Sequence, residues 1–99
     1  MELLKNPHVG EILKLEFLEE INLSTQDLAN RINIPSAQID NLIQGRIVIT
    51  AAIDLRLCRY FSLSDGYFLR LQNAHDLMEA KRSLTEELNQ IVPYQNAIA

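Results

Sequence analysis

The sequence predicts an all-α fold of five or six helices joined by short loops. Three observations predict it. Apolar residues recur at intervals of three and four along most of the chain. Turn-formers are scarce, with 3 Gly and 3 Pro in 99 residues. Those turn-formers fall where helices must start or stop. The length and the 47% hydrophobic content suit one domain over residues 1–99 with one ordinary core. This composition argues against disorder, collagen and a many-turned β-barrel. One cysteine rules out an internal disulfide framework and a cysteine-based zinc site. No apolar run approaches the ~18 residues that span a bilayer. The start, Met1-Glu2-Leu3-Leu4-Lys5, lacks a signal peptide's basic-then-apolar layout. A cytoplasmic chain with Cys58 reduced is expected. The formal net charge of −4 argues against a nonspecific nucleic-acid binder.

The first helix is expected from about Val9 to Glu20. Ile12, Leu13, Phe17 and Leu18 take its inner side, and Glu11, Lys14, Glu16, Glu19 and Glu20 the other. Asn22-Leu23 breaks the pattern. Ser24 is an N-cap with Asp27 at the capping-box position, opening a short helix to about Ile32 that buries Leu28, Ala29 and Ile32. Asn33-Ile34-Pro35 is a tight turn, since Asn tolerates a left-handed conformation and Pro suits the first turn of the next helix. That third helix runs to Gln44, and Gly45 ends it. Arg46-Ile47-Val48-Ile49 has a strand's composition, but a lone strand has nothing to pair with. It reads as a loop that tucks an isoleucine into the core. Thr50 caps a fourth helix to about Phe61, with Ile53, Leu57, Cys58 and Phe61 inward. Ser62 to Gly66 is a short connection. A fifth helix runs from about Gly66 to Arg82 with Phe68, Leu71, Ala74, His75 and Met78 on one stripe. Ser83 and Glu86 repeat the capping-box spacing, so a short last helix to Val92 is expected, within a C-terminal extension over 83–99.

The informative stretch is Ser24 to Gly45. Leu28, Ala29, Ile32, Ile34, Ile39 and Leu42 converge on one core, and small Ala29 lets the two helices cross closely. Two short helices joined this way over 24–45 form a helix-turn-helix, whose second helix enters the DNA major groove. A plain helical hairpin is the alternative. At ~100° per residue, Ile39, Leu42 and Ile43 share one side of the third helix, while Ala37, Asn41 and Gln44 lie opposite. Asn and Gln can make paired hydrogen bonds to an adenine edge, and Ala37 can touch a thymine methyl. The candidate base-reading residues are therefore Ser36, Ala37, Gln38 and Asn41, with a solvated polar face as the competing reading. Candidate phosphate contacts lie at and around helix starts: Ser24, Thr25, Gln26, Arg46 and Thr50. Arg46 is the only cation near the groove-reading helix in the linear sequence.

No HExxH, P-loop, GxGxxG or GxSxG pattern occurs, so catalysis and a small-molecule substrate are not expected. His8 and His75 lack a second ligand at metal spacing, and no metal or cofactor is expected. Cys58 lies on an apolar stripe as an inert core residue. Phe68, Leu69, Leu71 and Met78 exceed what one small domain's last long helix buries alone. With Leu84, Leu88 and Ile91 they form a candidate dimer seam, unless the C-terminal helix folds back over them. Within this set Phe68, Leu71, Met78, Leu88 and Ile91 define the seam. A symmetric homodimer would place two recognition helices one DNA turn apart on a palindromic site.

Several separated motifs in order resemble the HigA-type antitoxins, members of the Xre-like, lambda-repressor-like helix-turn-helix regulators. They are Pro7-His8-Val9-Gly10-Glu11-Ile12-Leu13, Phe17-Leu18, the helix-turn-helix, Gly45-Arg46, Ile49-Thr50, Leu55-Arg56-Leu57 with Phe61, and Phe68 through Leu77. Val9 and Phe68 depart from the family's usual proline and tryptophan. Ser36, Gln38 and the Arg46-Ile47-Val48 loop carry fewer cations than relatives do. The resemblance implies a five-helix domain that binds double-stranded operator DNA and represses its own operon. It also implies neutralisation of a RelE-like or HigB-like toxin that cleaves mRNA. A protein-interaction antitoxin with weak DNA binding, and a plasmid or phage repressor without a toxin, are the alternatives. The charge distribution bears on both partners. Residues 1–23 hold five acids against two bases, residues 24–50 balance, and residues 51–99 hold six acids against five bases. Glu11, Glu16, Glu19 and Glu20 offer a surface for a basic toxin, a solvated helix face being the alternative.

Overall fold

The structure, a computed structural model, describes residues 6–94. The Met1–Lys5 start and the end of the expected 83–99 extension lie outside the described residues. Five helices and no strand occur among those described. Helix α1 (Val9–Ile12) runs on as a π-helical segment (Leu13–Leu18). It is followed by α2 (Thr25–Ile32), α3 (Ser36–Ile43), α4 (Ala51–Phe61) and α5 (Tyr67–Asn89).

His8 starts the fold. Its Nδ1 accepts the N–H groups of Gly10 and Glu11 at 3.0 and 3.4 Å, and the Glu11 carboxylate accepts the His8 N–H at 3.3 Å. This is a capping box with an imidazole in the serine position. The first helix then widens, and Glu19 N–H reaches back five residues to the Lys14 carbonyl at 2.9 Å. The interval of five between Leu13 and Leu18 suits that wider turn, because both side chains become buried. The helix stops at Leu18 rather than Glu20, and Asn22 closes the turn at φ 54°. Gly10 is needed for a close crossing: a Cβ there would collide with the Leu42 carbonyl of α3.

The next elements follow the sequence closely. Ser24 Oγ accepts the Asp27 N–H at 3.0 Å, and Thr50 Oγ1 accepts the Ile53 N–H at 3.3 Å. Asn33 is left-handed at φ 64° and Gly45 at φ 76°. Pro35 stands at the N-cap of α3, one residue earlier than a first-turn position. Ile49 is the loop isoleucine that enters the core. The loop does find a partner: Gln72 of α5 accepts the Ile49 N–H at 2.6 Å and donates to the Ile49 carbonyl at 3.0 Å.

Three expectations about the C-terminal part are corrected. Ser83 does not open a new helix, because α5 runs unbroken through it to Asn89. The Ser83 hydroxyl donates back to Ala80 O at 3.3 Å, and Thr85 to Lys81 O at 2.7 Å. Phe68 is not on a surface seam. It is fully buried, with its ring centroid 5.2 Å from Phe17 and 5.2 Å from Tyr67. Leu71 is half-buried against the same core. The end of α5 does not fold back either, since every residue from Asp76 to Tyr94 is exposed.

Asp54 is the one buried charged residue among those described, at 1% exposure. Its carboxylate accepts the N–H groups of Gly66, Phe68 and Leu69 at 2.6, 2.9 and 3.1 Å. It caps α5 from α4, a service that Gly66 at the N-cap has no side chain to provide. Asp54→Ala strands three N–H donors and is expected to lower stability by about 3 kcal/mol. A urea titration should show a lower midpoint at unchanged slope, and Asp54→Asn, which keeps one acceptor oxygen, should recover part of the loss.

Candidate nucleic-acid interface

Helix α3 lies against α2 through Ile39 and Leu42, which are buried, and so turns its other side outward. On that side Ala37, Gln38 and Gln44 are exposed, and Ser36 and Asn41 are half-buried. The four residues expected to read bases therefore sit on α3 with side chains at least partly open. Asp40 is exposed beside them and opposes any anion there.

The residues expected to bind phosphate fall into two groups. Arg46 and Thr50 line one concavity of about 620 Å³, together with the base-reading candidate Gln38 and with Ile47, Val48 and Arg56. Ser24 and Thr25 line another of about 310 Å³ at the start of α2. In each group a helix start is already partly satisfied. Ser24 takes the Asp27 N–H and Thr50 that of Ile53, leaving the earlier first-turn N–H groups of α2 and α4 for an outside acceptor. Gln26 is exposed on the first turn of α2. The Arg46–Thr50 loop is held to α5 by the paired Gln72 bonds, so its presentation is fixed from behind.

Two cations near this face are not apparent from the linear sequence. Lys14 lines the concavity at Ser24 and Thr25, brought there from the first helix. Arg56 lines the concavity at Gln38 and Thr50. Its Nη1 donates to the Ile32 carbonyl at 2.7 Å and the Asn33 carbonyl at 3.5 Å, closing the C-terminal end of α2 at the turn. Tertiary packing alone makes Lys14 a neighbour of Ser24. The Leu55-Arg56-Leu57 motif was the available signal for Arg56.

The acidic residues divide. Glu11, Glu16, Glu19 and Glu20 are all exposed on the first helix or just after it. Glu19 shares the concavity of Lys14, Ser24 and Thr25, so it does not lie away from the nucleic-acid face. Glu11 is engaged with His8 at 3.4 Å. No group of three or more possible metal-binding side chains occurs among the described residues. Cys58 is buried. No helix is long and apolar enough to cross a membrane among those described.

No family model matches the chain. Individual proteins do. Virulence-associated protein I of Dichelobacter nodosus is 35% identical over 86 residues, covering 87% of this chain and 79% of that protein. Antitoxin HigA-1 of Vibrio cholerae is 32% identical over 85 residues, covering 86% of this chain and 80% of that one. The structure of Pseudomonas aeruginosa antitoxin HigA with the higBA promoter superposes with a TM-score of 0.82 at 29% identity, over 90% of this chain and 98% of that one. Sequence and fold agree along nearly the whole length, and the chain belongs to the HigA-type antitoxin family of helix-turn-helix regulators.

Proposed function

We propose that the protein is a non-enzymatic, sequence-specific DNA-binding antitoxin of the cytoplasm that represses its own operon and neutralises a RelE-like, mRNA-cleaving toxin. The observation that carries the DNA half is the grouping of Gln38, Arg46 and Thr50 around one concavity beside the open side of α3. A DNA backbone running over Arg46 and the start of α4 brings α3 to the adjacent major groove. There Ser36, Ala37, Gln38 and Asn41 meet base edges, while Ser24, Thr25 and Gln26 hold the backbone on the other side with Lys14. The relatives support the partner classes, one being named an antitoxin and one solved with promoter DNA.

The protein acts as a homodimer in this reading. With Phe68 and Leu71 inside the fold, the seam moves outward along α5. Leu77, Leu84 and Leu88 are exposed on α5, and with Lys81 they follow alternating steps of four and three residues. Ile91 continues the spacing just past the end of the helix at Asn89. That spacing is a coiled-coil seam, and Met78 borders it. The toxin meets the acids of the first helix, with Glu16 and Glu20 the ones clear of both His8 and the α2 start. The placement of Glu19 beside Ser24 favours a second reading, in which the protein holds its toxin firmly and binds DNA weakly until the toxin adds cations.

The deciding experiment is co-expression with the adjacent reading frame. A small basic partner should co-purify, and growth should be restored; absence of any complex overturns the antitoxin half. On DNA, Asn41→Ala should cost about 1–3 kcal/mol on the cognate operator and relax discrimination among operator variants. Unchanged discrimination would remove Asn41 from base readout. Glu19→Gln should tighten binding by roughly two- to fivefold at low salt, with the gain fading as salt screens the charge. Fluorescence anisotropy on a labelled operator at two salt concentrations reads both effects.

A further inference from the structure

A second concave surface lies between α2 and α4, adjoining the concavity beside α3 through Arg56, which lines both. Arg31, Asn33, Leu55, Arg56, Arg59 and Tyr60 line an open groove of about 620 Å³. Three of the chain's 9 cations stand on it and no acid does, although the chain carries net −4. Arg56 is committed to the carbonyls at the end of α2. Arg31 and Arg59 are exposed and form no ion pair. The floor is apolar, with Leu55 49% exposed beside half-buried Tyr60. Ser24 and Thr50 open α2 and α4 on the nucleic-acid face. Arg31 and Arg59 come two or more turns later, roughly 10–14 Å along the helix axes. Arg31 and Arg59 are therefore set back from the helix starts that meet DNA in the proposed function.

An apolar floor rimmed by unpaired guanidinium groups suits a segment that offers apolar side chains flanked by carboxylates. This chain carries such a segment. Leu15 and Ile21 are 53% and 54% exposed, with Glu16 and Glu20 beside them, and neither acid forms an ion pair. The segment runs from the π-helical part of the first helix into the turn after it. The α-helical part of that helix packs on α3 and α5, whereas the groove belongs to α2 and α4. We propose that the α2–α4 groove receives the Leu15–Ile21 segment of a second copy of this chain. In the toxin-free protein Glu16 and Glu20, the acids the toxin takes in the proposed function, meet Arg31 and Arg59, while Leu15 and Ile21 cover Leu55 and Tyr60. Each copy presents both the groove and the segment, and the contact uses no residue of α5, so it is separate from any two-fold pairing along that helix. It is small and charge-driven, so it forms at high local concentration, as between neighbouring molecules on DNA, and weakens with salt.

Sedimentation velocity tests this with the full chain from about 10 µM to 1 mM, at ~50 and ~500 mM salt. The wild type should rise roughly twofold in weight-average mass with concentration at low salt and much less at high salt, where apolar pairing through α5 supplies the baseline. Arg31→Glu with Arg59→Glu should abolish the salt-sensitive rise, and so should Glu16→Lys with Glu20→Lys. An equimolar mixture of the two charge-reversed proteins should regain it, which also shows that both are folded. A wild type with no salt-sensitive association, a double variant that keeps it, or a mixture that fails to regain it each overturns the proposal.

Discussion

One buried carboxylate holds the two halves of this fold in register. Asp54 lies on α4, in the helical body that carries α3, and its three acceptor bonds fix where α5 begins. A carboxylate taken out of water is tolerable only if its oxygens are fully engaged, and here the free N–H groups of a helix start engage them. The start of α5 is therefore fixed by short polar bonds as well as by the packing of Phe68. What α5 carries then follows. Phe68 enters the core one residue past the start of α5, and Gln72 one turn later reaches the Ile49 backbone. Asn6 and His75 exchange bonds of 3.0 Å that fasten the N-terminal end to the same helix.

Helix α4 plays the complementary part on its other side. Arg56 leaves it to close the carbonyl end of α2, two residues after Asp54 has turned toward α5. Helix α3 is thus bounded by contacts that all originate outside it: Gly10 against the Leu42 carbonyl, Arg56 at the turn and Gln72 behind the loop. Its own eight residues are too few for stability in isolation. Its outward residues can therefore be selected for recognition, because holding the helix in place falls to its neighbours.

The parts of the fold visible in the sequence are those whose cause is local. Ser24, Asn33, Gly45 and Thr50 each do what their chemistry dictates within four residues, and the elements between them fall where the spacing places them. The parts that escaped depend on partners far along the chain. Asp54 sits next to Ile53 on the inner stripe of α4, and nothing local shows that its oxygens meet residues 66–69. Lys14 reads as surface until packing sets it beside Ser24. The Ser83–Glu86 spacing misled because a hydroxyl inside a helix can bond backward to the preceding turn as easily as forward to a new one. Phe68 misled because a count of apolar residues on a long helix does not say which turn still touches the core.

The charge of −4 takes on a different meaning with the residues in place. A DNA-binding surface normally gains affinity from released counterions, and a face holding Arg46, Lys14 and the committed Arg56 against Asp40 and Glu19 gains little that way. In the proposed function the burden shifts to helix starts and base edges, whose bonds require correct geometry rather than proximity. A weakly cationic face discriminates better per contact than a strongly basic one, because less of its affinity is available to every sequence. It also makes spacing decisive. In the proposed dimer the seam lies on the last turns of α5 and the reading helix near its first, so the distance between two reading helices depends on how firmly α5 is set at its start. The three bonds to Asp54 thereby bear on sequence recognition as well as on stability.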